Sequence, residues 1–456
     1  MDQKFLFHPN IHLYRRNIKS VPEIIMNFIA TPNPMKIAVI GGGISGMGAA
    51  YQLSKFGNVT LFESEGRLGG HARTVFAGKR GDQAVDTGFI VFNKVNYPHL
   101  ISLFNELSVP ICESNMSFGA SVRGGEFEYG LKNFKSLFSQ PKYLANTKYL
   151  KMLTDILKFN RKAISLATDP EMTIRELLKR LGTSDWFREY YLLPFSGAIW
   201  STPKNKILDF PAHSMIRFFE HHALLSSTGQ HQWYTVDGGS IQYVERLRQE
   251  LVKRNVEMRL GDPVREVRRD TFGIEILSQK CESNYFDHVV FATHSDDTLK
   301  LLADPNSLES KSLGAIKYQP NQAVLHHDEA VMPQNKNCWA SWVYKEDKEA
   351  STGPIGLTYW MNSLQPIPET DPMFVTLNSK NNIDPYKVYD EVVFRHPVYD
   401  VPALKAQKDL AENNGARNTW FCGAWMKNGF HEDGLASAID VVNKFSEMVS
   451  VKVAAQ

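Results

Sequence analysis

Three glycines spaced Gly41-x-Gly43-x-x-Gly46, the acid Glu63 and the run Arg67-Leu68-Gly69-Gly70 are the residues whose types and spacing point to a specific chemistry. Glycines at this spacing bring backbone amides against a pyrophosphate. Gly41 permits a tight turn, Gly43 leaves room for the phosphate, and Gly46 lets the following helix pack closely. The unpaired amides of that helix's first turn, which holds Ile44 and Ser45, favour an anion together with the helix dipole. Glu63 follows the first glycine by about 20 residues, the place from which a carboxylate accepts from ribose hydroxyls and disfavours a 2′-phosphate. A second constellation stands near the end of the chain, where Gly423, Trp425, His431 and Glu432-Asp433-Gly434-Leu435 precede or open a helix.

Positioning these groups requires a particular order of elements. An apolar strand (36–40), the glycine turn, a helix and a second strand ending at Glu63 fall in register, which a chance glycine turn does not produce. Similar signals recur in two later blocks. From about Val236 to Leu302 there is an Asp237-Gly238-Gly239 turn, an amphipathic helix (240–254), strands near 256–260 and 264–267, and the apolar strand 289–293. From Asn418 there is a strand (419–423), a loop (424–432) and a helix from about Gly434 to Val449. The pattern predicts an α/β fold with a Rossmann-type, glutathione-reductase-like dinucleotide domain built from residues 36–89, 236–302 and 418–456. A mixed α+β substrate domain, 90–235 and 303–417, interrupts it, with strand-like runs at 356–362 and 373–378.

Composition narrows the function classes. With 456 residues and 43% hydrophobic content the chain can build two substantial cores. Lys+Arg 51 against Asp+Glu 49 leaves a formal charge of +2, no field to draw in nucleic acid. Cys112, Cys281, Cys338 and Cys422 are far apart, with no metal-ligand spacing, so reduced thiols, a cytoplasmic setting and no metal are expected. Residues 1–35 are expected to be an extension outside the fold; Arg15-Arg16 begins a weak export-like pattern that Pro22, Glu23 and Asn27 interrupt. Residues 131–162 carry Lys132, Lys135, Lys142, Lys148, Lys151, Lys158, Arg161 and Lys162 against the single acid Asp155, with apolar residues interleaved. Such a run is usually a solvated helix face; it is also the composition of a peripheral contact with the inner face of a membrane.

Taken together, Glu63-x-x-x-Arg67-x-Gly69-Gly70, Asp86-Thr87-Gly88, Asp237-Gly238-Gly239, the 289–293 strand with His294, and Cys422-Gly423 with Glu432-Asp433-Gly434 resemble the flavin-containing amine oxidase, protoporphyrinogen oxidase and phytoene desaturase superfamily. A narrower likeness rests on Gly70-His71-Ala72-Arg73-Thr74, Gly88-Phe89 through Tyr97-Pro98, Gly197-Ala198-Ile199-Trp200, Met332-Pro333-Gln334-Asn335 and Gly429-Phe430-His431-Glu432. These are similar to the flavoprotein module at the N-terminus of plant cyclopropane-fatty-acyl-phospholipid synthases and its free-standing bacterial counterparts. The resemblance implies FAD. Gly41, Gly43, Ile44, Ser45, Gly46, Glu63, Arg67, Gly69 and Gly70 would hold its ADP half and ribityl approach, and His71, Gly88, Phe89 and Gly423 would bring backbone to the flavin. Val264 would lie at the adenine, although a strand valine is equally a core residue, and the amides of Gly434 and Leu435 would face flavin N1 and O2. His71 replaces the arginine that many amine oxidases carry there.

Candidate catalytic groups are His431, Tyr359 and Trp425, each with an ordinary packing or hydrogen-bonding alternative. Tyr359 and Trp360, adjacent on a strand, must face opposite sides, so one of them is core. The expected activity is FAD-dependent oxidation of an unsaturated or modified fatty-acyl substrate. Oxidation of a small amine is a second possibility, and a non-catalytic flavin-binding partner of a cyclopropane-fatty-acyl-phospholipid synthase a third.

Overall fold

Met35-Lys36-Ile37-Ala38-Val39-Ile40 becomes apolar on both faces after its first residues, as a strand covered on both sides must be, and it forms β1 at the centre of a parallel sheet. The computed structural model describes residues 34–200, 204–225, 231–280, 283–346, 356–379 and 383–454. The expected N-terminal extension, apart from its last two residues, and Cys281 therefore lie outside the described residues.

Among the described residues, β1 is flanked by β2 (Gly57–Glu63) and, beyond it, β3 (Glu257–Leu260) on one side, and by β4 (His288–Phe291) and β5 (Thr419–Phe421) on the other. Every neighbouring pair is parallel. Parts of the chain more than 100 residues apart thus share one sheet, whose C-terminal edge is where ligands bind in open α/β sheets.

Side chains alternate across it. Ile37 and Val39 join Met47, Ala50, Leu61, Leu435 and Val441 in the core on one face. Ala38 and Ile40 join Phe62, Val267, Ile276 and Phe286 on the other. The first face is covered by α1 (Ile44–Leu53) and its neighbours. The second is covered by an antiparallel sheet of Val264–Arg269, Ile274–Ser278 and Asn284–Phe286, so the strand expected at 264–267 runs two residues further.

Four further helices matter for the site: α2 (Pro98–Glu106), α3 (Thr147–Leu166), α4 (Ile241–Lys253) and α5 (His431–Ala454). The last starts three residues before the expected Gly434, because the Asp433 carboxylate accepts the Phe430 amide and extends the helix backwards by a turn.

Among the described residues the inserts share a seven-stranded sheet in the order Val388–Val398, Lys317–His326, Phe374–Leu377, Leu357–Trp360, Trp342–Lys345, Phe118–Val122, Phe127–Gly130. Its strand at Leu357–Trp360 is shorter than the expected 356–362 run and gives way to a helical turn, Met361–Leu364. There Asn362 accepts from the Met373 amide and donates to the Pro368 and Asp371 carbonyls, pulling the chain round. Neighbours on this strand part as the pleat requires: Tyr359 faces the helical insert, and Trp360 packs edge-on against Trp339 on the other side.

Candidate active site

At the end of β1 the three glycines serve different masters. Gly41 has φ +108° and a Cβ there would stand 2.9 Å from the Ala292 carbonyl oxygen; a Cβ on Gly46 would lie 1.7 Å from the Gly41 oxygen. Both are required by the protein's own packing. At Gly43, by contrast, a Cβ would meet nothing within 4 Å. Gly43 caps α1 with no side-chain hydrogen bond, leaving the first-turn amides beside Ile44 and Ser45 facing an open approach.

The second glycine loop lies on the first. Gly69 donates to the Gly42 carbonyl at 2.8 Å, and a Cβ on Gly70 would sit 3.1 Å from Gly43 Cα. Arg67 shapes this loop from within: its guanidinium donates to the Gly70 carbonyl at 2.9 Å and to Ala72 at 3.3 Å, and pairs with Glu65. These bonds make Arg67 a support of the loop, while its side chain stays 37% exposed.

Glu63 is half-buried. Its Oε2 accepts the Gly42 amide at 2.6 Å, and its Oε1 accepts the Glu65 amide at 2.7 Å and the Ser64 hydroxyl at 3.0 Å. A carboxylate has about four lone-pair sites, so one remains for a ribose hydroxyl. Val264 follows Asp262, whose amide donates to the Glu63 carbonyl at 3.0 Å, and so lies at this end of the cradle. An uncapped helix terminus, an open Gly43 and a carboxylate with a spare lone pair fit a dinucleotide. Glu63→Gln is expected to weaken cofactor affinity about 10- to 100-fold, since a hydrogen bond to a charged group contributes roughly 1.5–3 kcal/mol. Its thermal stability in saturating cofactor should approach that of the wild type; a large residual deficit would make Glu63 chiefly structural.

Beyond the cradle the chain turns aromatic. A Cβ on Gly88 would lie 2.1 Å from the His71 carbonyl oxygen, and the Phe89 amide donates to that oxygen at 2.9 Å. The Phe89 ring stacks on His431 with centroids 3.9 Å apart. His431 Nε2 is 2.6 Å from the Tyr243 hydroxyl. Burial lowers the histidine to about 3 and raises the tyrosine well above its ordinary value, so a neutral phenol and a neutral imidazole share this hydrogen bond.

His71 stacks on Phe394 at 4.8 Å and lies 5.7 Å from His396 and 5.9 Å from His294. Burial lowers these three to about 4, 3 and 3 in the order His71, His396, His294. The cluster is uncharged at neutral pH. His294, Asp296 and Asp297 form the one grouping among the described residues with metal-ligand proximity, but Arg395 pairs with both carboxylates.

Other sequence candidates are placed differently. Trp425 is buried in the core beneath the sheet, its indole N–H donating to the Thr293 carbonyl at 3.0 Å; that packing removes it from the catalytic set. Gly423 (φ +152°) donates to Ser437 Oγ at 2.8 Å, and a Cβ there would strike the Trp425 ring. The Gly434 amide donates to the Phe430 carbonyl at 3.1 Å, because α5 starts earlier than expected. Gly434 and Leu435 instead let α5 approach α1: a Cβ on Gly434 would meet Ser45 Oγ at 2.8 Å, and Leu435 fills the space beside Gly48. Tyr359 stands half-buried and edge-on to Trp342 at 5.3 Å, a wall residue of the insert.

Tyr243 emerges only in the fold, and two residues of the sequence motifs, Asp86 and Glu432, gain their partners there. Tyr243 looks like any core position of an amphipathic helix. Asp86 accepts from the Ser240 amide and hydroxyl, Thr74 and Gln365, tying the start of α4 to the second insert. Glu432 accepts the His99 and Leu100 amides at 2.9 Å each and thereby caps α2.

Comparison with known proteins gives the following. The family model described as flavin containing amine oxidoreductase matches residues 44–375. Protoporphyrinogen oxidase 2, chloroplastic/mitochondrial, of Arabidopsis thaliana is 54% identical over 41 residues, 9% of this chain and 8% of that protein. The chain thus matches less than a tenth of the length of this relative. Among solved structures, cyclohexylamine oxidase from Brevibacterium oxydans IH-35A aligns with a TM-score of 0.67 at 14% identity, covering 91% of this chain and 100% of that one. A CLA-producing fatty acid isomerase from P. acnes aligns with a TM-score of 0.65 at 14% identity, covering 90% and 98%.

Proposed function

The chain belongs to the flavin containing amine oxidoreductase family and is an FAD-dependent oxidoreductase, and from that premise we propose that it oxidises an unsaturated or modified fatty-acyl chain, carried in phospholipid, by hydride transfer. The observation that carries this reading is an uncharged aromatic wall where the cofactor cradle meets the insert. Phe218 stacks on His222 at 3.9 Å and on Phe430 at 4.7 Å, next to the His431–Phe89 stack. Burial lowers His222 to about 4, so this ring too is neutral. Such an uncharged aromatic surface suits hydrocarbon; its ring faces would also take an ammonium group, and the experiment below separates the two. Asp433, the nearby acid, is pushed up to about 6 by burial and accepts the Phe430 amide. The likeness in fold to a fatty acid isomerase supports a lipid-accepting frame.

FAD supplies the hydride acceptor, N5. The chain's part is to bind, orient and exclude water. The α1 terminus, Gly43 and Glu63 hold the ADP half. Residues 36–89, 236–302 and 418–456 form the cofactor half of the molecule in this reading, with 90–235 and 303–417 supplying the substrate surface. Tyr243 is a positioning residue: its hydrogen bond holds the His431 ring in place. Phe89 and His431 close off water on that side by stacking. The substrate domain and a functional link to a cyclopropane-fatty-acyl-phospholipid synthase belong to the same proposal.

Oxidation of a small amine is the second reading, favoured by the family itself and by the likeness in fold to an amine oxidase. Anaerobic mixing of the purified flavoprotein with phospholipid extract and, separately, with an amine panel decides between them. Bleaching of the flavin absorbance is expected with lipid; bleaching by an amine and not by lipid would replace the first reading with the second.

A further inference from the structure

Eight cations face one acid between residues 131 and 162, and the fold disposes of that acid. Asp155 is buried, accepting the Ser184 amide at 2.8 Å and pairing with Lys151. Lys132, Lys135, Lys142, Lys148, Arg161 and Lys162 all remain exposed. The surface left to solvent is therefore purely cationic along this stretch. Apolar side chains stand in the same surface: Phe134 is 73% exposed, Leu144 51% and Leu157 54%, and Leu150 and Ile164 are exposed too.

Leu150, Leu157 and Ile164 are spaced by seven. An α-helix drifts only about 20° per seven residues, so they form one stripe along the outside of α3, while Tyr149, Met152, Phe159 and Ala163 fill its inner face. The short helix Phe134–Leu137 and the turn Pro141–Tyr143 pack on the start of α3 through Phe138 and Tyr143 against Tyr149. Single exposed leucines mean nothing. An exposed apolar row with Arg161 beside it and Lys151 and Lys158 about 100° round the helix, where the remaining face is buried, is the pattern of a helix set side-on at a headgroup boundary.

We propose that this face of α3 and the preceding turns docks the protein on an anionic phospholipid bilayer, with Leu150, Leu157, Ile164 and Phe134 at the headgroup–acyl boundary and the lysines on the phosphates. The attachment is peripheral: no helix among the described residues is long and apolar enough to cross a membrane. It is independent of the substrate reading, since an amine oxidase with this face would bind the same vesicles.

The test is co-sedimentation of the FAD-loaded protein with vesicles of phosphatidylcholine alone or mixed with phosphatidylglycerol. Binding is expected only to the anionic vesicles, and to fall in high salt, because screening shortens from about 10 Å at 0.1 M to about 3 Å at 1 M. The triple variant Lys148→Glu, Arg161→Glu, Lys162→Glu should lose binding more than tenfold, and Phe134→Ser with Leu157→Ser severalfold, with FAD content and thermal midpoint unchanged. Lys151 is left alone because it neutralises the buried Asp155. Equal binding by wild type and the charge variant, or equal binding to neutral vesicles, would overturn the proposal. Loss on charge reversal with no effect of the two serines would overturn it in favour of a soluble acidic partner.

Discussion

Gly43→Val should yield a folded protein without colour. The backbone at Gly43, φ −75° and ψ −176°, is extended and open to any residue, and a Cβ there touches no other part of the chain. A valine therefore costs the fold little. Its branched side chain fills the approach to the α1 amides, which is the path of the pyrophosphate. FAD content should fall below about a tenth of wild type, and the thermal midpoint should match that of wild type stripped of FAD, because stabilisation by a ligand at 100 times its Kd is roughly 2.7 kcal/mol and vanishes with binding. Gly46→Val is the control with the opposite cause. Its Cβ would fall 1.7 Å from the Gly41 oxygen, backbone against backbone, so this variant should fail to fold with or without FAD. Absorbance of released flavin and far-UV circular dichroism read both. A Gly43→Val protein that kept its flavin would remove the pyrophosphate from this cradle.

That contrast also marks how far the residues could be read before the fold was known. Glycine, strand and acid in register disclosed the cradle because its chemistry is local, within one strand–helix–strand unit. They could not say which glycine serves the ligand and which the packing, since that depends on Ala292, which the sheet places beside Gly41 from far along the chain. The sequence places the start of α5 three residues late because the Asp433 cap lies inside a run that reads as loop. Trp425 looked catalytic by proximity in sequence to His431, yet a short helical turn swings it beneath the sheet. Tyr243 carried no signal at all: its hydroxyl meets His431 across 188 positions. The basic run was legible as composition, but only burial shows that Asp155 faces inward and the leucines outward.

Acid should destabilise the FAD-free protein steeply between pH 6.5 and about 4. Burial lowers His71, His222 and His326 to about 4, and His294, His396 and His431 to about 3. An unfolded histidine takes its proton near 6.5. Above that pH neither state is protonated and the fold is at full strength; as pH falls, the unfolded chain binds protons that the folded chain refuses, and stability drains toward the folded values. Asp86 and Asp433, raised by burial to about 6, act in the opposite sense, taking protons in the folded state first. Six histidines against two carboxylates leave a net uptake of about four protons near pH 5, a slope of up to about 5 kcal/mol per pH unit. His71→Phe keeps a ring beside Phe394 and removes one proton, so its slope should be shallower by about a quarter. Thermal midpoints recorded from pH 7.5 to 5 read the effect, and a flat wild-type profile would mean that these histidines are hydrated. Because His71 follows Gly70 and its carbonyl anchors Phe89, charging this cluster would loosen the cradle from the flavin side, and FAD release should accompany the fall in midpoint.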